Sequence, residues 1–218
     1  MSLAPGTLTA IKRISTSLHK AGGTSPHVLD AILRHTQGMT LNRSMETGSG
    51  ATTLLLSHLS RDHTVFAMDD GNGSITNTQK NEHFRADRAT FVLGPTQKTL
   101  PVHPFAGPLD FALLDGPHGY PFPDLEYYYV YPHLAPGALL VIDDIQIRSI
   151  HNLYEFLCAD RMFEKVGVTL TTAFFRRTDA PVFDPLGDGW WDQGYNKKTL
   201  KRYLPGRVLG RLTTLLGR

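Results

Sequence analysis

Short apolar runs alternate with helical patterns from Arg43 onward, and this alternation limits the fold of the chain more than any other feature. Parallel neighbouring strands need a long crossover connection, which a helix usually supplies. We therefore predict an α/β fold with a doubly wound, mostly parallel seven-stranded sheet. The predicted strands are residues 43–47, 64–68, 89–93, 109–114, 138–142, 163–170 and 172–177.

The last two predicted strands are close enough in sequence to form an antiparallel hairpin, so the final strand is expected to run against the others. Before the first strand we expect two helices. Ser25 and Pro26 suit the N-cap and first position of the second helix, which runs to about Gly38. Between and after the strands, helices are predicted at residues 52–60, 78–87, 124–133 and 149–159.

These patterns divide the chain into three parts. Residues 1–38 are predicted to form an N-terminal helical extension, and residues 39–178 the main domain. Residues 179–218 form an irregular segment rich in proline and tryptophan, followed by a basic tail.

Composition excludes several classes of protein. Hydrophobic residues make up 41% of the 218 residues and charged residues 19%, which is enough for one substantial core. The chain has no run of about 18 apolar residues and no secretion signal, and Cys158 is its only cysteine. We therefore expect a soluble, cytoplasmic protein without disulfides. A net charge of +2 is too small to predict a nucleic-acid partner.

A glycine-containing loop follows the first predicted strand, with the sequence Glu46-Thr47-Gly48-Ser49-Gly50-Ala51-Thr52-Thr53. Its glycines allow the backbone to turn sharply against a ligand before a helix begins. Open α/β sheets bind ligands at this point, outside the carboxyl ends of the strands. A Gly-x-Gly pattern alone is also common in ordinary tight turns, so the neighbouring residues decide its interpretation.

Two neighbouring residues favour S-adenosylmethionine over a dinucleotide. The dinucleotide fingerprint has a third glycine where this chain has Thr53. Glu46 would repel a pyrophosphate, whereas S-adenosylmethionine carries cationic groups and no phosphate. We predict that S-adenosylmethionine binds at Glu46, Thr47, Gly48, Ser49, Gly50 and Thr52.

Two later segments are candidates for the rest of the cofactor site. Asp69 follows the second strand about twenty residues beyond the loop, where a carboxylate can accept both ribose hydroxyl hydrogens. The alternative is that Asp69, Asp70 and Gly71 form a solvated turn. The loop that ends in Thr96 and Gln97 can supply amide groups to an adenine edge, although alone it is only a loop.

Three carboxylates follow two other predicted strands. Asp115 comes directly after residues 109–114, and Asp143 and Asp144 come after residues 138–142. Converging acids repel one another unless a cation lies between them, and oxygen ligands suit Mg²⁺ or another hard divalent ion. Alternatively, Asp115 starts a turn and Asp144 caps the following helix.

His118 follows Asp115 by three residues in a tight turn that directs its imidazole toward the same acids. An ordinary pKa of about 6.5 suits a general base at this position. A loop histidine without such neighbours is more often a surface residue.

Together these residues resemble the class I methyltransferases, and within them the metal-dependent O-methyltransferases similar to catechol O-methyltransferase and to macrocin-type sugar O-methyltransferases. The resemblance covers roughly residues 40–178. It implies that the segment Glu46–Thr53 binds the methionine part of the cofactor, that Asp69 holds the ribose, and that Thr96 and Gln97 lie at the adenine.

The resemblance also extends to the acids. The family's metal ligands are Asp, Asp and Asn, which correspond to Asp115, Asp143 and Asp144, so the metal site of this chain carries one more negative charge. Asp115 is also predicted to be one of the cofactor-binding residues. The catechol-type enzymes have a lysine base where this chain has His118, as in the sugar-modifying branch. The resemblance thus implies Mg²⁺-dependent O-methylation of a small polyhydroxylated or sugar-containing acceptor.

Two other interpretations stay open. One is a metal-independent methyltransferase with structural acids, and the other is a non-catalytic nucleotide-binding or membrane-surface module. The tail from Lys197 to Arg218 contains no acid, and its leucines have the helical spacing of an interfacial helix. Packing of that stripe on the domain or on a second subunit is the simpler interpretation, so a homo-oligomer and peripheral membrane contact are both left open.

Overall fold

The computed structural model of the protein describes residues 3, 6–18, 20, 23–69 and 71–197. Its strands are β1 (Leu41–Thr47), β2 (Ser60–Ala67), β3 (Ala89–Leu93), β4 (Leu109–Leu114), β5 (Leu134–Ile142), β6 (Phe163–Thr169) and β7 (Thr172–Arg177). Its α-helices are α1 (Thr7–Ile14), α2 (Pro26–Thr36), α3 (Ala51–Leu59), α4 (Ser74–Gln79), α5 (Thr96–Thr99), α6 (Phe122–Val130) and α7 (Arg148–Ala159). Short 3₁₀ helices cover Leu100–Val102, Tyr131–His133 and Trp190–Asp192.

The strands form one seven-stranded sheet in the order β3-β2-β1-β4-β5-β7-β6. Strands β1 to β5 pair in parallel, and β7 runs antiparallel to both β5 and β6. The predicted doubly wound α/β fold with an antiparallel final strand is therefore confirmed. The strand order reverses between β1 and β4, which is where open α/β sheets form a ligand-binding crevice.

Both faces of β4 and of the second half of β5 are buried, and this explains why these segments are almost continuously apolar. On β4, Phe111 and Leu113 face one core cluster, whereas Ala112 and Leu114 face the other. The first cluster also contains Ile11 of α1 and the α2 residues Val28, Leu29 and Ile32, so the predicted N-terminal extension packs directly on the main sheet.

One helix prediction was wrong. The helix expected over residues 78–87 lies earlier, at Ser74–Gln79. Beyond it the chain turns, because the Asn81 side chain accepts a hydrogen bond from the His83 backbone N–H at 2.9 Å in competition with helical bonding.

The C-terminal part of the chain is described only as far as residue 197. Residues 179–197 are largely irregular and cross α6, where Tyr128 donates a hydrogen bond to the Pro185 carbonyl at 3.0 Å. The tail beyond Lys197, with its leucine stripe, lies outside the described residues. Among the helices of the described ranges, none has the length and apolar character that a membrane span requires.

Candidate active site

A cavity of about 580 Å³ opens at the carboxyl ends of the central strands. The glycine loop after β1, the loop that begins at Gly94 after β3, and the turn from Asp115 to His118 after β4 all line it. Asp143 and Asp144 after β5, the β6–β7 turn, residues 23–25 before α2 and the end of β2 also contribute to its walls. Segments far apart in sequence thus meet where the strand order reverses.

The glycine loop is shaped by contact with the neighbouring strand end. Gly48 has φ +87°, and a Cβ atom there would lie 2.7 Å from the Asp115 carbonyl oxygen, so only glycine fits without strain. The Gly48 N–H donates to the Phe66 carbonyl at 2.9 Å. Ser49 has a buried hydroxyl without a hydrogen-bond partner among the described residues, although it lines the cavity. A polar ligand would satisfy this hydroxyl.

Glu46 lies beneath the loop and not in the cavity lining. Its side chain is fully buried and accepts a hydrogen bond from the Thr52 hydroxyl at 2.6 Å and another from the Thr53 hydroxyl. The Thr53 oxygen in turn accepts the Gly50 N–H at 3.0 Å. The carboxylate therefore supports the loop from below, whereas the sequence had suggested that it faces the ligand.

The other predicted cofactor residues lie around the same cavity. Thr96, which is buried, and Gln97 both line it. Asp69 is exposed just beyond the lining residue Met68, and its Oδ1 accepts the Gly71 N–H at 3.0 Å. This is the turn that the sequence offered as an alternative, and it leaves the second carboxylate oxygen without a hydrogen bond in the described part of the chain. Asp70 is outside the described residues.

The strand register brings the acids together. Leu114 pairs with Ile142, so Asp115 and Asp143 follow matching positions of two adjacent strands, as expected. Ligand atoms of Asp115, His118 and Asp144 all lie within 4.8 Å of one another. The Nε2 atom of His118 is 3.5 Å from Asp115 Oδ1 and 3.4 Å from Asp144 Oδ2.

Asp143, the third predicted metal ligand, is hydrogen-bonded to other residues of the protein. Its Oδ1 accepts the Thr172 hydroxyl at 2.6 Å and the Asp144 N–H at 2.8 Å. Asp144 has φ +57°, an uncommon conformation that aspartate tolerates better than most residues, and its Oδ1 accepts the Gln146 side chain at 2.7 Å. Asp143 lines the cavity but is not a member of the three-residue group.

The charges of the site perturb one another. Burial, together with the neighbouring Asp143 and Asp144, raises the pKa of Asp115 to about 6, although the hydrogen bond from His118 acts in the opposite direction. The hydrogen bond to Asp115 raises the pKa of His118 above its usual value. The neighbouring carboxylates contribute to both shifts, and a bound cation would balance their charge.

Glu126 is a residue that sequence reasoning missed. It lies on α6 with 3% of its surface exposed and accepts the Thr47 hydroxyl at 2.8 Å. Burial raises its pKa to about 7, against the effect of the Thr96 and Thr47 hydroxyls. The feature of the sequence that could have drawn attention to Glu126 is that it is the only charged residue between Leu125 and Tyr131.

The group formed by Asp115, His118 and Asp144 fits a divalent cation by its donors. Two carboxylates and an imidazole converge in the cavity, and each of their side chains keeps between 31% and 43% of its surface exposed. Carboxylate oxygens suit Mg²⁺ and Mn²⁺, whereas an imidazole nitrogen suits ions such as Zn²⁺.

Comparison with known proteins adds a family and several similar structures. Residues 45–145 match the family described as methyltransferase domain. The O-methyltransferase of Bacillus cereus, solved with S-adenosylhomocysteine, is 14% identical with a TM-score of 0.62 over 82% of this chain and 93% of that one. TomG, an O-methyltransferase of Streptomyces achromogenes involved in tomaymycin synthesis, is 13% identical with a TM-score of 0.59 over 82% and 92%.

A third similar structure contains a metal. The MycE methyltransferase of the mycinamycin biosynthetic pathway, solved with Mg, S-adenosylhomocysteine and mycinamycin VI, is 16% identical with a TM-score of 0.54. The likeness covers 80% of this chain and 57% of MycE. A search of curated proteins found no match. At these identities the structural likeness establishes the shared fold.

Proposed function

We propose that this chain, which carries a methyltransferase domain at residues 45–145 on the class I fold, transfers the methyl group of S-adenosylmethionine to a hydroxyl oxygen with the help of a divalent cation. The acceptor we propose is a small polyhydroxylated or sugar-containing molecule. The observation that carries the proposal is the convergence of Asp115, His118 and Asp144 in the cavity that the glycine loop also lines.

The cofactor would lie along the walls formed by the loops. The backbone of Gly48 to Gly50 and the free Ser49 hydroxyl would hold its methionine part, and Thr96 and Gln97 its adenine. Asp69 would accept the ribose hydroxyls with the carboxylate oxygen that its turn does not use. When bound, S-adenosylmethionine supplies an electrophilic methyl group on a positively charged sulfur.

The proton acceptor we assign is His118. Its Nε2 atom would take the proton from the acceptor hydroxyl as the oxygen forms a bond to the methyl carbon and the carbon–sulfur bond breaks. The products are a methyl ether, S-adenosylhomocysteine and a proton on His118. Because the Ser149 hydroxyl donates to the His118 backbone carbonyl, α7 fixes the turn that carries the imidazole.

The acids would hold the cation. Asp115 and Asp144 offer carboxylate oxygens within 4.8 Å of each other, and Asp143, whose Oδ1 accepts the Thr172 hydroxyl, lines the same cavity. When bound, a divalent cation lowers the pKa of a coordinated hydroxyl. The MycE structure, which contains Mg and mycinamycin VI, supports the proposed metal.

A second candidate is methyl transfer without a metal. His118 lies between the carboxylates of Asp115 and Asp144, so a protonated imidazole can balance their charge by itself. In that case the acids would orient His118 and bind no ion.

Release of S-adenosylhomocysteine tests the proposal. Purified protein is incubated with S-adenosylmethionine and a panel of catechols and sugar glycosides, in Mg²⁺ or in excess chelator. We expect turnover that the chelator and Asp144→Ala each abolish, while Asp188→Asn, which changes an exposed acid outside the cavity, has no effect. Turnover that persists in chelator supports the metal-independent candidate, and no S-adenosylhomocysteine with any acceptor contradicts the proposed acceptor class.

A further inference from the structure

Three buried side chains beneath the glycine loop form a hydrogen-bonded chain that no step of the proposed reaction uses. Ser44 Oγ lies 2.8 Å from His63 Nδ1, and His63 Nε2 lies 3.1 Å from Glu46 Oε1. Ser44 is 1% exposed, and Glu46 and His63 are 0% exposed. No solvent or substrate reaches them, so the chain is not a catalytic triad despite its Ser-His-Glu order.

The strand register explains how these residues meet. His63 on β2 lies directly opposite Ser44 on β1, and Glu46 is two residues further along β1 on the same face. Since the Glu46 carboxylate accepts, His63 donates through Nε2–H, and its other nitrogen, Nδ1, shares a hydrogen bond with the Ser44 hydroxyl. One imidazole thus joins two positions of the strand that leads into the loop.

The hydrogen-bonded chain continues from Glu46 to the cofactor cavity. Glu46 accepts the hydroxyls of Thr52 and Thr53, and Thr53 accepts the Gly50 N–H at 3.0 Å. Gly50 and Thr52 line the cavity. A path of direct hydrogen bonds therefore leads from the buried His63 to the backbone of the ligand-binding loop.

We infer that His63 is a positioning residue for the cofactor loop, which it holds in its binding shape through Glu46. Without the His63 donor, Oε1 of this fully buried carboxylate keeps only the Thr53 hydroxyl among the described residues, so the Glu46 side chain is held less firmly and its bonds to Thr52 and Thr53 weaken. The loop would then have to be ordered when the ligand binds, and affinity would fall by that cost. The inference rests on the proposed function for the identity of the ligand.

Binding of S-adenosylhomocysteine, measured by calorimetry, tests the inference. His63→Leu removes both hydrogen bonds and keeps the site filled, and we expect its Kd to rise about tenfold. The matched control is Leu157→Ala on α7, which creates a cavity at a position that is 0% exposed, does not belong to the hydrogen-bonded chain and does not line the cofactor cavity. The control should lose stability but keep the wild-type Kd.

Exchange of the Gly50 amide hydrogen separates positioning from general destabilisation. Exchange should become faster in His63→Leu and stay unchanged in Leu157→Ala. Because His63 acts through Glu46, the effects of His63→Leu and Glu46→Gln on Kd should be strongly non-additive.

Three outcomes decide the matter. A folded His63→Leu protein with wild-type Kd and wild-type Gly50 exchange overturns the inference. If His63→Leu does not fold, Glu46→Gln replaces it, since an amide nitrogen cannot accept the bonds that the lost oxygen accepted; an unchanged Kd then overturns the inference equally. Failure of the wild-type protein to bind S-adenosylhomocysteine contradicts the proposed function instead.

Discussion

The Thr47 side-chain oxygen accepts the backbone N–H of Asp115 at 2.9 Å, while its hydroxyl hydrogen is donated to Glu126 at 2.8 Å. This one side chain therefore joins the end of β1, which carries the glycine loop, to the end of β4, which carries the acids. The geometry of the cofactor site and that of the candidate metal site are linked at this point.

Thr47→Val should remove the hydrogen-bonded link between the ends of β1 and β4. The substitution preserves shape but leaves the Asp115 N–H and the buried Glu126 carboxyl without their partner, so the free energy of unfolding should fall by about 2 kcal/mol. Urea denaturation measures this loss. Thr47→Ser keeps the hydroxyl and is the control; equal losses in both variants would mean that the hydroxyl contributes nothing.

Glu126 makes stability depend on pH. Its pKa is raised from 4.5 to about 7 in the folded protein, so between these values the folded state holds a proton that the unfolded state has lost. Stability therefore declines as pH rises through this window, in total by about 3 kcal/mol for this group.

Glu126→Gln should remove that contribution. Free energies of unfolding from urea titrations between pH 5 and pH 8 should fall less steeply in the variant than in the wild type, both measured with chelator present. The raised pKa of Asp115 contributes to both proteins, so the difference between the curves isolates Glu126. Parallel curves would contradict the assignment.

Gly116 and Glu126 are predicted to be coupled. A Cβ atom at Gly116 would lie 1.9 Å from Glu126 Oε1, so Gly116→Ala must displace either the Asp115–His118 turn or the carboxyl group. We expect a loss of stability of about 3 kcal/mol, of which Gly116→Ala combined with Glu126→Ala recovers a part. Additive losses in thermal unfolding would rule out the contact.

Most of the sheet could be predicted because its strands are local patterns. Residues 89–93, 109–114 and 172–177 were predicted at their observed bounds, since apolar runs end there at turn residues. The sequence placed the start of β2 at residue 64, whereas the strand begins at Ser60. The prediction missed this first part because Arg61 and Asp62 are polar and exposed, although the segment pairs with β1. Such pairing depends on the neighbour and cannot be read from one segment.

The residues of the candidate site were likewise predictable only in part. The acids after β4 and β5 were found because both follow strongly apolar strands. The support by Glu46 from below, the role of His63 and the burial of Glu126 all depend on side chains that meet only in the folded sheet. From the sequence alone, a single glutamate in a helix such as Glu126 is expected to be exposed. Its burial follows from its contacts with Thr47 and Gly116 in the folded protein.

His118→Gln tests the assigned proton acceptor. The imidazole lies 3.5 Å and 3.4 Å from carboxylate oxygens of the two acids, and its loss should lower kcat about 100-fold or more while the Kd for S-adenosylhomocysteine stays unchanged. Steady-state kinetics on the best acceptor of the panel measures the first quantity and calorimetry the second. Wild-type kcat would exclude His118 as the base, and a large loss of cofactor affinity would indicate a structural role.

A crystal structure of the protein soaked with S-adenosylhomocysteine and Mn²⁺ tests the central claim most directly, because the anomalous signal identifies the ion. The predicted result is S-adenosylhomocysteine along the loop from Gly48 to Gly50, with an anomalous peak within about 2.5 Å of carboxylate oxygens of Asp115 and Asp144. Bound S-adenosylhomocysteine with no peak between these acids, or a ligand outside this cavity, would contradict the account.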